Sequence, residues 1–395
     1  MDTSSNYSED QDLAPNDITF GTIPFSLNFH PTEDLLVVSD AEGRVKLYHY
    51  NLEENEIKFS LRPHKSGCRQ ANFSSDGKYI FTASSDCSMK VIDINTGSIL
   101  YTREEAHDKD FMVFTGDDEG TIKVWDMRQQ NIVCEFQEHG DFISDITTIG
   151  DKHIVASSGD GGVSIYNFVR KSMDDISEKS DNELLSVISL CDDEKLVCGS
   201  QDGTILIYDR NNLESQKKFI GHPQSVDSMV KVNNNSFFSG SSDGIIRYVG
   251  LQPKKLLGVV GEHSTFPIER MAISRDNRYL GSISHDFSLK FWNVSSFYEE
   301  DDGEQEDGEN AGETNVFYSE DEDEEIEGGD QDDDAMAEDD SDSDDDDDES
   351  EDEESSDEDI KRKNKKQPSN NPFKAQQQER QKQKEKEKRS FFSDL

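Results

Sequence analysis

No stretch of about 18 apolar residues occurs anywhere in this 395-residue chain, so no membrane-spanning helix is expected. The amino-terminal MDTSSNYSEDQD lacks the basic and apolar regions of a secretion signal, which points to a soluble, non-secreted protein. Cysteine is scarce: Cys68, Cys87, Cys134, Cys191 and Cys198 fall at no metal-binding spacing, and a reduced role, mostly in strand cores, is expected. The sequence contains no G-x-x-x-x-G-K-[ST] phosphate loop, no H-E-x-x-H and no C-x-x-C, and no EF-hand loop can be placed. One catalytic pattern does occur, G-x-S-x-G at Gly240, Ser242 and Gly244, but a nucleophile elbow needs a strand entering a helix. Here the pattern leads into the strand-like IIRYV. The sequence therefore implies no enzyme, no cofactor and no metal.

Positive charge is also lacking, with 40 Lys and Arg against 87 Asp and Glu and a formal net charge of −47. Most of that excess lies in one segment: residues 299–360 hold 37 acidic residues and no basic one, while 361–395 hold 12 basic and 4 acidic. The acidic segment has too few apolar residues to offset chain entropy and is expected to be disordered, as are residues 1–15. The basic tail opens with Lys361, Arg362, Lys363, Lys365 and Lys366, which read as a nuclear localisation signal, and ends in SFFSDL, which reads as a docking peptide. A solvated Lys/Glu helix is the alternative for the basic tail. Ser341, Ser343, Ser350, Ser355 and Ser356 sit in acidic contexts suited to phosphorylation. The remaining 1–298 carry 28 basic and 46 acidic residues with no basic stripe, so direct nucleic-acid binding is not expected, whereas basic proteins would be attracted.

What the chain does have is repetition. An acidic turn followed by an alternating strand ends at Tyr48, Ile92, Trp125, Tyr166, Tyr208, Val249 and Trp292. Successive ends are 41 to 44 residues apart except for Ile92 to Trp125, which spans 33. A period near 40 with several short strands per unit is the pattern of a β-propeller, because stacking blades radially covers both faces of each sheet. The predicted fold is all-β, seven-bladed, over residues 16–298. NDITF at 16–20 is expected to complete the last blade and close the ring. The third blade is expected to be shortened: His107 lies only 18 residues before Trp125, so either its innermost strand is missing or about nine residues are absent there.

The spacing resembles that of the WD-repeat family, in which a histidine bonds an aspartate of the following turn, backed by a Ser or Thr and a Trp. His139, His222 and His263 lie 27, 27 and 29 residues before their repeat ends, and Asp160, Asp202, Asp243 and Asp286 occupy the turn position. The resemblance implies a structural hydrogen-bond network of His139 with Asp160, His222 with Asp243, and His263 with Asp286 and Trp292, through Ser282 or Ser284. Phe142, Ser225 and Phe266, each three residues after a repeat histidine, are candidate partner contacts, with gap filling between blades as the alternative for both phenylalanines.

Particular strings go further, among them SGCRQANFSSDGKYIFTASSD at 66–86, GDDEGTIKVWDMR at 116–128, GEHSTFPIERMAIS at 261–274 and SHDFSLKFWNV at 284–294. They are similar to the eukaryotic nucleolar family typified by WD-repeat-containing protein 55 and its fungal relatives. That resemblance implies a non-catalytic scaffold in nucleolar ribosome biogenesis and rRNA production, a single propeller within larger complexes whose partners are preribosomal or other basic nuclear proteins. Two alternatives remain. The string from Trp125 to Arg128 resembles the W-D-x-R adaptor-docking motif of substrate receptors for cullin-type ubiquitin ligases, and the acidic segment could instead capture histones.

Overall fold

A computed structural model describes residues 13–100, 112–126 and 131–298. The expected disordered amino terminus (apart from residues 13–15), the acidic and basic segments, the localisation signal at Lys361 to Lys366, His107 and Arg128 all lie outside the described residues.

Short strands alternate with Gly-bearing or Asx turns, and the apolar residues fall on both faces of every sheet. No single sheet of this kind can shield itself, so the strands assemble into seven sheets, each an antiparallel blade packed between two others. Blade 1 runs from the inside outward as Pro24–Phe29, Leu35–Asp40, Val45–His49 and Glu56–Leu61. Blades 2, 4, 5 and 6 repeat this order with inner strands Cys68–Phe73, Ile143–Ile149, Leu184–Leu190 and Val226–Asn233.

Blade 7 closes the ring. Its inner strand Ile268–Ile273, followed by Tyr279–Ser284 and Ser288–Asn293, is completed by Ile18–Thr19 from the other end of the chain, with Ile18 opposite Leu289. The closing strand is only two residues long. Blade 3 has three strands among the described residues, Met112–Gly116, Ile122–Asp126 and Asn131–Phe136. Met112–Gly116 occupies the second position, preceding the Trp125 strand as Tyr279–Ser284 precedes the Trp292 strand, so the described part lacks an innermost strand.

The core lies between blades. Ile18, Phe20, Leu27, Phe29, Tyr48 and Phe291 form the cluster that joins blade 7 to blade 1. Cys68 and Cys198 are buried in such clusters, and burial pushes the Cys68 thiol up to about 12. Cys87 departs from the expectation of core cysteines. It is exposed at the turn position that Gly43 and Gly203 fill elsewhere, and adopts their left-handed conformation at φ 61°. Phe287 does the same at φ 63°, and a side chain there costs about 1 kcal/mol relative to glycine.

Candidate interaction face at the channel mouth

The repeat histidines and their turns share one face of the ring, and the hydrogen bonds there show how it is held. In blade 7 the buried His263 donates or accepts at both ring nitrogens, Nδ1 to Asp286 at 2.8 Å and Nε2 to Ser282 Oγ at 2.7 Å. Trp292 Nε1 donates to the same Ser282 Oγ at 2.8 Å. Ser282, rather than Ser284, is the link. Ser284 Oγ instead accepts from the Asp286 amide and donates to the Phe266 carbonyl. In blade 4 His139 pairs with Asp160 at 3.1 Å and with Ser164 at 2.7 Å.

Blade 6 differs from the expected pairing. His222 reaches Ser239 at 2.7 Å, but Asp243 is held by both guanidinium nitrogens of Arg247 at 3.1 and 2.7 Å. Arg247 lies four residues along the same turn and strand and matches the carboxylate in bidentate fashion, which a single imidazole nitrogen cannot rival. His222 Nδ1 is left buried without a hydrogen-bond partner.

Blade 2 holds a further network, built on His64. Its Nε2 meets Thr82 Oγ1 at 2.8 Å, and its Nδ1 meets Ser88 Oγ at 3.0 Å and Asp86 at 3.3 Å. His64 stands 28 residues before Ile92, within the 27 to 29 of the others, and follows Pro63.

The inner strands add a second regularity. In each of the six described inner strands the register slips at the second residue, leaving Phe25, Arg69, Ser144, Leu185, Asp227 and Glu269 outside the ladder. A bulge turns its extra side chain away from the sheet. None of the six is buried, so they form a ring of differing chemistry around the channel mouth. Deeper in, Arg270 of blade 7 pairs with Asp145 of blade 4 at 3.0 Å. Those inner strands are three blades apart, so this ion pair spans the channel.

Charge is unevenly spread around the mouth. Phe25 lies under the Arg69 guanidinium at 4.6 Å in blades 1 and 2. Blades 6 and 7 instead present acids. Asp227 accepts from Ser225 Oγ at 3.0 Å and Ser242 Oγ at 2.7 Å, and Glu269 is bonded to His285 at 2.9 Å. Burial, with Glu269 adding, pushes the Asp227 carboxyl up to about 6, while the bond to Glu269 raises His285.

Ser242 of the G-x-S-x-G pattern thus bonds Ser225 and Asp227 and leads into the strand Ile245–Gly250, while the neighbouring histidine is committed to Glu269. Among the described residues no group of three His, Cys, Asp or Glu could hold a metal ion.

Asp227 also makes a prediction. Its folded carboxyl binds a proton more tightly than the unfolded one, so stability is lost as pH rises from about 4 to about 6 and stays lost at neutrality. Asp227→Asn keeps an acceptor for the two serines and removes that penalty, so it should stabilise the ring at pH 7 by about 2 kcal/mol. A lowered melting temperature at pH 7 would contradict this.

The three candidate contacts separate on this face. Phe266 is 47% exposed, and Phe287, on the turn between the second and third strands of blade 7, is 45% exposed. Phe142 is half-buried against Gly159, where any β-carbon would overlap its ring, so it fills a gap within blade 4. Ser225 is a bonded member of the Asp227 cluster. Blades 6 and 7 therefore combine two exposed aromatic rings with two carboxylates, a chemistry suited to basic side chains. Sequence reasoning singled out Phe266 and Ser225 as candidates but not Phe287, Asp227 or Glu269.

Comparison with known proteins gives consistent results. A family model described as WDR55 matches residues 15–297. A WD repeat-containing protein 55 homolog of Dictyostelium discoideum is 85% identical over 310 residues, covering 76% of each chain. WD repeat-containing protein 55 of Arabidopsis thaliana is 35% identical, covering 72% of this chain and 84% of its own. The Homo sapiens protein of the same name is 33% identical, covering 71% and 77%.

Proposed function

The chain belongs to the WDR55 family of WD-repeat proteins, and from that premise we propose that it is a non-catalytic scaffold of nucleolar ribosome biogenesis and rRNA production. The ring holds basic preribosomal proteins on its channel-mouth face, and the acidic segment draws them in by long-range attraction. Lys361, Arg362, Lys363, Lys365 and Lys366 carry it into the nucleus.

One observation carries this reading: the six register slips, which lift one side chain per described inner strand out of the sheet, with acids and exposed phenylalanines gathered on blades 6 and 7. A face that spends this much regular structure on presenting side chains is built for contact rather than for internal packing. Its polar groups are bonded in pairs that leave no nucleophile activated, which favours binding over chemistry.

Full-length tagged chain should cosediment with preribosomal particles at low salt. Phe266→Ala with Phe287→Ala should weaken capture about 30-fold, the loss of roughly 2 kcal/mol expected for a central aromatic anchor. Absence of the wild-type chain from those fractions would overturn the proposal.

A further inference from the structure

We propose that a cleft between blades 5 and 6 binds an acidic segment of a partner protein, one that carries an apolar side chain among its carboxylates. This goes beyond the scaffold reading and rests on a different part of the ring. The third strands of these blades leave the mouth-face turns at Gly203 and Gly244 and end at Asp209 and Gly250, so the cleft lies at the opposite end of the sheets.

Strand register decides what lines it. In blade 5 Lys195 stands opposite Asp209 and Ile207 opposite Lys217, and because alternate residues share a face, all four side chains point to one side of the sheet. That side faces blade 6, where Ile207 packs with Val249 and Leu251. Beside the connection at 251–254 the seam leaves a cavity of about 320 Å³, large enough for one bulky side chain and its neighbours. Its base is apolar: Ile207 and Leu251 are 6% and 5% exposed, with Pro253 alongside.

Lys195, Lys217 and Lys254 surround that base. Asp209, the one carboxylate in the lining, is held by Lys195 at 2.8 Å, whereas Lys217 and Lys254 are exposed and form no ion pair among the described residues. Residues 1–298 carry 46 acidic and 28 basic residues, so two uncommitted ammonium groups over an apolar base invert the local balance and attract anions.

The lining also selects among anions. A single-stranded nucleic acid would need an open aromatic platform for its bases, and the one ring in the lining, Tyr208, is 1% exposed. A small inorganic anion would leave the apolar base uncovered. An acidic peptide with a Leu or Phe satisfies both parts, the apolar side chain seated on Ile207 and Leu251 and its flanking carboxylates reaching Lys217 and Lys254.

A fluorescein-labelled peptide of Glu and Asp with a central Leu–Phe pair, titrated into the full chain, should bind with a Kd on the order of 10 μM at about 0.1 M salt and about tenfold more weakly at about 0.5 M. Lys217→Glu with Lys254→Glu should weaken binding about 30-fold at an unchanged melting temperature, since both side chains are exposed. Lys58→Glu with Lys65→Glu makes the same change of net charge away from the cleft and should alter binding by less than about twofold. Replacing the Leu–Phe pair of the peptide by Ser–Ser should cost about tenfold. No binding by the wild-type chain, equal losses from the two lysine pairs, or indifference to the Ser–Ser exchange would each overturn the proposal. So would a single-stranded oligouridylate that binds more tightly than the peptide and is lost on the Lys217 and Lys254 reversal. Phe266→Ala with Phe287→Ala should leave peptide binding unchanged, so this proposal and the scaffold reading can fail separately.

Discussion

Removing residues 1–21 should cost the ring about 5 kcal/mol or more, because those residues supply the strand that joins the two ends of the chain. The backbone contribution is small: Ile18 and Thr19 pair with Leu289 and Ser288, and the Phe20 amide donates to the Phe287 carbonyl at 2.7 Å. The side chains matter more. Ile18 and Phe20 are each 8% exposed, and Phe20 packs edge-on to Tyr48 of blade 1 with their ring centres 6.3 Å apart. Truncating a buried Ile costs about 2–5 kcal/mol and a buried Phe about 3–5. Their joint loss also leaves Ser288–Asn293 as an open edge beside the first blade. Full-length and truncated chains compared by thermal melting should differ by about 10 °C or more for a domain of this size. Ile18→Ala with Phe20→Ala in the full chain should reproduce most of the drop. If the truncated chain melts within about 2 °C of the intact one, the two ends are not what closes the ring.

That closure was readable in the sequence because it follows from topology: a ring of repeats needs a strand for its last edge, and NDITF was the segment available. The short third step was readable for the same reason, as a deviation from a period. Features that depend on competition or on a single-residue offset were not. Asp243 stands in the turn position that the repeats share, yet Arg247, four residues on, takes both carboxylate oxygens, and no repeat pattern signals that contest. His64, by contrast, lies 28 residues before Ile92, inside the 27 to 29 of the other repeat histidines, so spacing alone sufficed to mark it.

Phe142 and Phe266 share the same distance from their histidines. The loop of blade 7 is one residue longer, however, putting Phe266 two residues before its strand and Phe142 one before. Opposite Phe142 stands Gly159, with room for a ring; the turn residue that bonds back in the same way in blade 7 is His285. The register slips left no trace in composition at all, since Phe, Arg, Ser, Leu, Asp and Glu share no property except their position.

The unpaired histidine of blade 6 should make the ring sensitive to acid. Burial, followed by the Arg247 charge, lowers His222 to about 4, against about 6.5 in an unfolded chain. Between those values the unfolded chain takes up a proton that the folded one refuses, so stability falls as pH drops from about 6.5 to about 4 and is fully present only above that window. The shift corresponds to about 3 kcal/mol, and His222 is only 5% exposed, so little of it is screened. His263 is lowered too, but there a side-chain bond and the charge of Asp286 oppose burial, whereas at His222 the Asp243 charge and the Gly203 backbone act against burial and the Arg247 charge, and no side-chain partner bonds Nδ1. His222→Gln preserves a hydrogen-bonding partner for Ser239 and removes the titration, so denaturant unfolding should show it losing about 2–3 kcal/mol less than wild type between pH 7 and pH 4.5. The Asp227 carboxyl works in the opposite sense over much of this range and is common to both chains, so it cancels from the comparison. Parallel stability curves for the two proteins would mean that His222 finds a proton partner in the folded ring. Arg247→Met provides the converse: with the guanidinium gone, Asp243 becomes free to accept from His222 Nδ1, and the acid-side slope should again become shallower, now because the folded histidine can hold its proton.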